Sequence, residues 1–395
     1  MAGAAPASMM VPAPGMGAPV AAGPGAPVLS PAGSAIPSSG SMGSVGAAPS
    51  GAGSAGAVLV PASTVASCGA SSRGPTESAE LAAAKALALK LRRDCDGAKY
   101  PCIEWAVGIF RSEAGGATEC VVTSNEGFGY IPWGVFLPRS ARVLASDKLV
   151  DNEFRDHWFG CKDPAQVMVE YGKLRARQGS RLVALGVTKN SVYGRGPGVE
   201  YGVSAPRSMN EEYREPVLDD LNQHRLEALQ PEIYARVARL ASTETETREI
   251  DNQITVSMAA KMMDVVTTAA RTGVEVPPLL RELWNRTGVE DCSKDKVWDD
   301  YGLQMLVCFV NTSAGRPDPA TADTGARELY RGQWQVARAM EMVWGLSGPA
   351  RDKQLVTGGA VWADMLYASA VFADQDDFVR IVEPLVRVVE DGRGR

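Results

Sequence analysis

Hydrolytic metal centres and activated Ser or Cys nucleophiles draw on histidine. This chain of 395 residues has two, His157 and His224. His157 stands beside Trp158 in an amphipathic stretch, and His224 lies within the charged run LDDLNQHRLE. They fall in separate regions of the chain, so a shared metal site is not expected. Zinc deaminases need H-x-E or C-x-E and a downstream P-C-x-x-C. Cys102-Ile103-Glu104, preceded by Pro101, supplies the first motif, but no C-x-x-C occurs. The cysteines are Cys68, Cys95, Cys102, Cys120, Cys161, Cys292 and Cys308. Their odd number and irregular spacing argue against a disulfide framework. Gly194-Arg195-Gly196-Pro197-Gly198 contains G-x-G-x-G. Pro197 and the lack of a helical pattern after it argue against a phosphate cradle. Asp219-Asp220, Asp299-Asp300 and Asp376-Asp377 read as helical neighbours that diverge around the axis, hence caps and solvated faces. No catalytic residue, cofactor or metal ligand is expected.

The most singular stretch is Thr123–Leu137, TSNEGFGYIPWGVFL. Glycines and prolines alternate with aromatics, which suits no long strand ladder. Two readings follow. The loop is pinned by its own rings onto a sheet, or it is a binding groove in which rings anchor a partner. On the second reading Phe128, Tyr130 and Trp133 are the candidate partner-binding residues. Trp133, between Pro132 and Gly134, is the first choice.

The elements that must position this loop are legible from periodicity. Pro75-Thr76-Glu77-Ser78 offers a helix cap, and Leu81, Ala84, Ala88 and Leu91 recur at helical spacing. Ile103–Arg111 and Thr118–Ser124 are rich in β-branched and aromatic residues, with Gly115-Gly116 between them as a hairpin turn. A short strand is expected around Val135-Phe136-Leu137. Helices are expected from Asp151 to Trp158 and after Asp163-Pro164, and a further strand over Arg181–Thr188. Residues 76–195 thus read as an α+β domain with a small, mainly antiparallel sheet. Residues 196–207 read as a linker. Residues 208–390 read as an all-α bundle with four one-sided apolar stripes. These run through Trp298, Tyr301, Met305 and Cys308; Leu329, Val336, Met340 and Val343; Ile254, Met258, Met262, Val265 and Ala269; and Phe378 to Val389. Pro384 is expected to kink the last of these helices or to delay its start.

Residues 1–72 hold no charged, histidine or aromatic side chain. Ala, Gly, Pro and Ser bury too little surface to offset ordering costs of about 1–2 kcal/mol per residue. Residues 1–75 are therefore expected to be a disordered tail or linker. The formal net charge of −6 argues against a nucleic-acid surface. Short basic runs such as Lys90–Arg93 and Lys173–Arg177 sit at predicted helix ends, where they complement the dipole. No apolar run reaches the roughly 18 residues of a membrane span. The N-terminus lacks a secretory pattern, so the chain is expected to start in the cytosol.

Several segments resemble a known family. The Ala/Gly/Pro-rich stretch is similar to those of mycobacterial proteins that accompany type VII (ESX) secretion. WAVGIFRSEAGG, VVTSNEGFGYIPWGVFLPRSARVL and FRDHWFGCKDPA resemble the C-terminal region of the EspK-like proteins, as does ARELYRGQWQVARAMEMVWGLSG through to the C-terminus. The resemblance implies a cytosolic, non-enzymatic chaperone or adaptor. Its partner would be another protein, a type VII secretion substrate or an ATPase component. The alternative is a secreted effector of the same system on a degenerate, deaminase-like fold. Relatives usually carry an N-terminal helical hairpin before such a linker, whereas this chain starts within the linker. Tyr100 and Glu104 fit the Y-x-x-x-D/E spacing of that pathway's secretion tag, and Trp158-Phe159-Gly160 fits W-x-G. Tyr100 leads into a predicted strand and no tag follows Tyr171, so both read as structural.

Overall fold

A computed structural model describes residues 77–390, apart from 117, 205–214, 242, 272, 288–293, 373–377, 381, 385 and 388–389. The expected disorder of 1–75 lies outside the described residues. Ser78 caps α1 (Ala79–Gly97), its side chain accepting from the Leu81 N–H. Next come β1 (Trp105–Ser112), β2 (Thr118–Ser124), β3 (Leu137–Pro138) and β4 (Ala141–Val143). Asp151 caps α2 (Asn152–Trp158) and Asp163 caps α3 (Pro164–Ala176). β5 (Ser180–Val187) and β6 (Glu200–Val203) complete a five-stranded sheet of order β4-β2-β1-β5-β6.

The sheet is mixed. β1 pairs antiparallel with β2 and β5 at its centre, while the edge pairs β2–β4 and β5–β6 are parallel. β1 is buried on both faces, as central strands covered by helices are. Trp105, Val107 and Ile109 join one core with α1, and Ala106 and Phe110 join another with α3. The stretch 196–207, expected to be a linker, contributes β6. Its Tyr201 and neighbours pair with Leu185 and the rest of β5, so ladder hydrogen bonds override the glycines before it.

From residue 215 most of the described residues are helical. One exception is β7 (Asn222–Gln223), which pairs with β3 and leaves Asp219-Asp220 in a bend, not on the expected helix. Asp219 Oδ1 there accepts from the Leu221 and Asn222 N–H groups. The helices are α4 (Arg225–Leu229), α5 (Pro231–Leu240), α6 (Glu244–Ile254), α7 (Ala260–Arg271), α8 (Pro278–Thr287), α9 (Val297–Ala314), α10 (Thr324–Trp344), α11 (Gly348–Thr357) and α12 (Val361–Phe372). A π-helical turn, Thr255–Ala259, joins α6 to α7. Helical positions recur within 378–390.

The predicted stripes face inward at Trp298, Tyr301, Met258, Met262, Val336, Met340, Val343, Phe378 and Val382. Leu329 is a correction: it is exposed, because Tyr330 and Trp334 set the buried face of the first turns of α10. Ile381, Leu385, Val388 and Val389 lie outside the described residues, as does Asp376-Asp377, and the turns around Pro384 are described only in part. The core that holds α1 and one face of β1 continues without a break through α4, α7, α9, α10 and α12.

Candidate functional site

Residues 121–133 are buried apart from the half-buried Phe128, which is unusual for a segment that is largely loop. Buried backbone groups need partners, and helix side chains supply them. The Gly127 N–H donates to Tyr330 Oη at 3.0 Å, and the Ile131 N–H to Tyr367 Oη at 2.8 Å. The Ile131 carbonyl accepts from Arg225 at 3.0 Å, and the Gly127 carbonyl from the Gly160 N–H at 2.6 Å. The loop is therefore pinned onto α4, α10, α12 and the α2–α3 turn as well as onto its own sheet, where Ser124 of β2 donates to the Tyr130 carbonyl at 2.7 Å.

Two buried ionic clusters complete the seam. In the first, Glu126 accepts from Ser313 at 2.6 Å, from Tyr330 at 2.7 Å and from Arg316. In the second, Arg225 pairs with Glu341 at 2.5 Å and Asp364 at 2.7 Å. Arg338 binds Glu341 and lies 3.9 Å from the Tyr130 ring centroid, while Tyr130 Oη donates to Glu341 at 2.8 Å. Burial pushes the Asp364 carboxyl up, but Arg225 and His224 outweigh it and hold the group below its ordinary value. Burial lowers Arg225 too, and Glu341 and Asp364 more than reverse this, so the guanidinium stays charged. Two of these residues carry charge where the sequence is otherwise apolar or aromatic. Asp364 interrupts VWADMLYASAVF, and Glu126 interrupts the aromatic loop. A lone charge inside an apolar run was the signal that could have found them.

The candidate rings do not share one fate. Tyr130 and Trp133 are 1% and 4% exposed and face the helices, Trp133 beneath Arg225 at 5.6 Å. Phe128 alone reaches the surface, against Phe154 and Arg155. There it lines a cleft of about 350 Å³ between α2, the π-helical turn, α10 and α12. The apolar part of its wall is formed by Phe128, Phe159, Met258, Met262, Trp334 and Phe372, beside polar Asn152, Gln230, Gln335 and Ser369. Arg155, Lys261 and Arg331 stand at the cleft with a single carboxylate, Asp156, which pairs with Arg331 at 2.6 Å. Met258 reaches the wall from the π-helical turn, a distortion that often marks functional positions.

The histidines stay apart in role. His157 is exposed and packs edge-on to Trp158. His224 is buried, caps α4 through the Leu226 N–H and lies 3.1 Å from Asp364. Cys102 is exposed with φ of 70°, and its carbonyl accepts from Arg316 at 3.2 Å. The Glu104 carboxylate accepts from Thr188 at 2.7 Å and pairs with Arg92 at 2.9 Å. Tyr100 packs on Phe309 in the core. Among the described residues no group of three His, Cys, Asp or Glu could hold a metal ion. Among them also, no single helix is long and apolar enough to cross a membrane.

No curated protein matches the chain. Residues 93–269, from α1 through α7, match the family model described as the EspK C-terminal domain.

Proposed function

With the chain taken as an EspK-like, type VII secretion-associated protein, we propose that it is a non-enzymatic adaptor or chaperone-like protein that holds a protein partner in the cleft beside Phe128. One observation carries this reading. The cleft joins an aromatic and methionine wall to a mouth richer in cations than in carboxylates. Methionines adapt to varied apolar shapes, and aromatics anchor interfaces at low entropic cost. A segment with an apolar anchor and a nearby carboxylate fits that combination. The buried seam behind the cleft keeps its wall in place, which lowers the ordering cost of binding. On this reading the protein acts in the cytoplasm, on a secretion substrate or an ATPase component of the system. A secreted effector could use the same cleft, and location separates the two. The test is capture from the native host with wild type and Phe128→Ala, alongside fractionation of cells and culture filtrate. Partner capture by wild type, lost in the variant, from a protein retained in the cells supports the adaptor. Accumulation in the filtrate supports the effector. Equal capture by both chains removes the cleft from the function.

A further inference from the structure

We propose that the loop between β5 and β6 is a contact site for an anionic lipid surface. Its tip is apolar and stands in solvent, with Val192 81% and Tyr193 48% exposed. The residues on either side, Ser191 and Gly194, are buried. The tip is held in place from below. The Ser191 N–H donates to Tyr201 Oη at 2.7 Å, and Ser191 Oγ donates to Asp163 Oδ2 at 2.5 Å. The Tyr193 N–H donates in turn to Ser191 Oγ at 3.1 Å. A Cβ on Gly194 would lie 2.2 Å from the Tyr201 ring, so only glycine lets the loop lie this close to β6. A tip fixed in this way has little ordering cost left to meet on binding.

The charges around the tip point to its occupant. Lys189 and Arg195 stand three residues before and three after Val192. The bond from Ser191 to Asp163 brings Lys162 to the same loop. All three cations are exposed, and none forms an ion pair among the described residues. Residues 189–199 include no carboxylate. The nearest ones in sequence are engaged: Asp163 accepts from Ser191 and the Ala165 N–H, and Glu200 from the Ser78 N–H at 3.3 Å. An apolar tip with an aromatic hydroxyl and flanking cations suits a bilayer interface. The apolar group enters the acyl boundary, Tyr sits at headgroup level and the cations meet anionic lipid. A second exposed apolar cluster lacks this charge pattern. There Val217 and Leu221 meet Leu355 and Val356, where the Leu218 N–H donates to the Thr357 carbonyl at 2.8 Å. Its two segments carry Glu215, Asp219, Asp220 and Asp352 against Arg351 and Lys353, a balance that an anionic surface repels.

Co-sedimentation of the full chain with vesicles tests this. One set is phosphatidylcholine alone, the other phosphatidylcholine mixed with phosphatidylglycerol. Wild type should bind the mixed vesicles and not the neutral ones, and added salt should weaken the binding. Val192→Asp should lower the bound fraction at least several-fold with an unchanged melting temperature, since its side chain stands in solvent. Lys189→Glu with Arg195→Glu in the same chain should do the same. Leu355→Asp, which sets the same charge on the other apolar cluster, should bind as wild type does. A wild type that leaves the mixed vesicles unbound, or binds the neutral ones equally, overturns the proposal. So does a Val192→Asp chain that binds as well as wild type. An equal loss in Leu355→Asp also overturns it, because the contact is then not specific to this loop. Vesicle binding absent in wild type, with a host protein captured by wild type and lost in Val192→Asp, assigns the loop to a protein instead.

Discussion

Glu126 shows what a single side chain does in this molecule. Its carboxylate receives Ser313, Tyr330 and Arg316 and is fully buried. Removing one partner of a buried pair leaves the other charge uncompensated, a loss of about 3–5 kcal/mol. Glu126→Gln should therefore lower stability by about that amount, read as a shift of the denaturant midpoint. Retention of wild-type stability would mean that Arg316 finds another partner. The candidate rings separate in the same way. Trp133→Ala should cost about 3–5 kcal/mol, as large core deletions do. Phe128→Ala should melt near wild type while losing about 2 kcal/mol of partner binding, a roughly 30-fold loss. If Phe128→Ala unfolds the chain, the ring belongs to the core and the cleft loses its anchor. Asp251 gives a pH test. Burial raises its carboxyl to about 6 from 3.8, against the opposing pull of Arg351 and a backbone hydrogen bond from Trp362. A group raised on folding adds stability that is complete below its unfolded value and lost as pH rises to its folded value. The charged Asp251 thus costs stability at pH 7, by about 1–3 kcal/mol. Asp251→Asn should raise the melting temperature at pH 7, and the gain should vanish by about pH 4. A constant gain across that range would show that the carboxyl is not the titrating group.

At the scale of elements, two glycines explain why the aromatic loop is written as it is. Gly127 has φ of 53° and Gly160 has φ of 74°, where L side chains are strained. A Cβ on Gly127 would lie 2.7 Å from the Trp334 ring, and one on Gly160 would lie 2.2 Å from the Tyr330 ring. The glycines are therefore the contact by which the aromatic loop and the α2–α3 turn receive α10. Gly160→Ala should cost at least ~2 kcal/mol from conformation and overpacking together. Calorimetry would show the shift. A variant as stable as wild type would mean that α10 can withdraw without loss. Trp158-Phe159-Gly160, which fits a pathway signal in wording, here serves packing: Trp158 is buried and Phe159 stacks edge-on to Tyr330 and Trp334. β1, β2 and β5 were readable from their β-branched, aromatic and aliphatic runs, and the longer helices from apolar residues repeating with period 3.6. β6 and β7 were not, because neither has a pattern of its own; β6 exists through its ladder with β5, and β7 through a ladder with β3, distant in sequence.

At the scale of the whole molecule, the sheet region and the helical region share one hydrophobic core, and the buried ionic clusters lie across their junction. Unfolding either region would strip partners from the other. One cooperative transition is therefore expected over the described residues, with far-UV and near-UV circular dichroism melting together. Two separated transitions would show that the junction contributes little. The sequence by itself determined the mixed α and β region followed by helices, the caps of α1 and α3, and most of the inward stripes. These follow from local backbone preferences and periodic burial, which neighbouring residues specify. It also carried the wording that matches the EspK C-terminal domain over residues 93–269. Only the tertiary structure decided which of three similar rings meets solvent. Phe128, Tyr130 and Trp133 are bracketed alike, and their burial depends on where α10 and α12 lie, some two hundred residues further along the chain. It alone decided too that Glu126, Arg225, Arg338, Glu341 and Asp364 are interior, because a buried charge becomes tolerable only when its counter-charge arrives from another element.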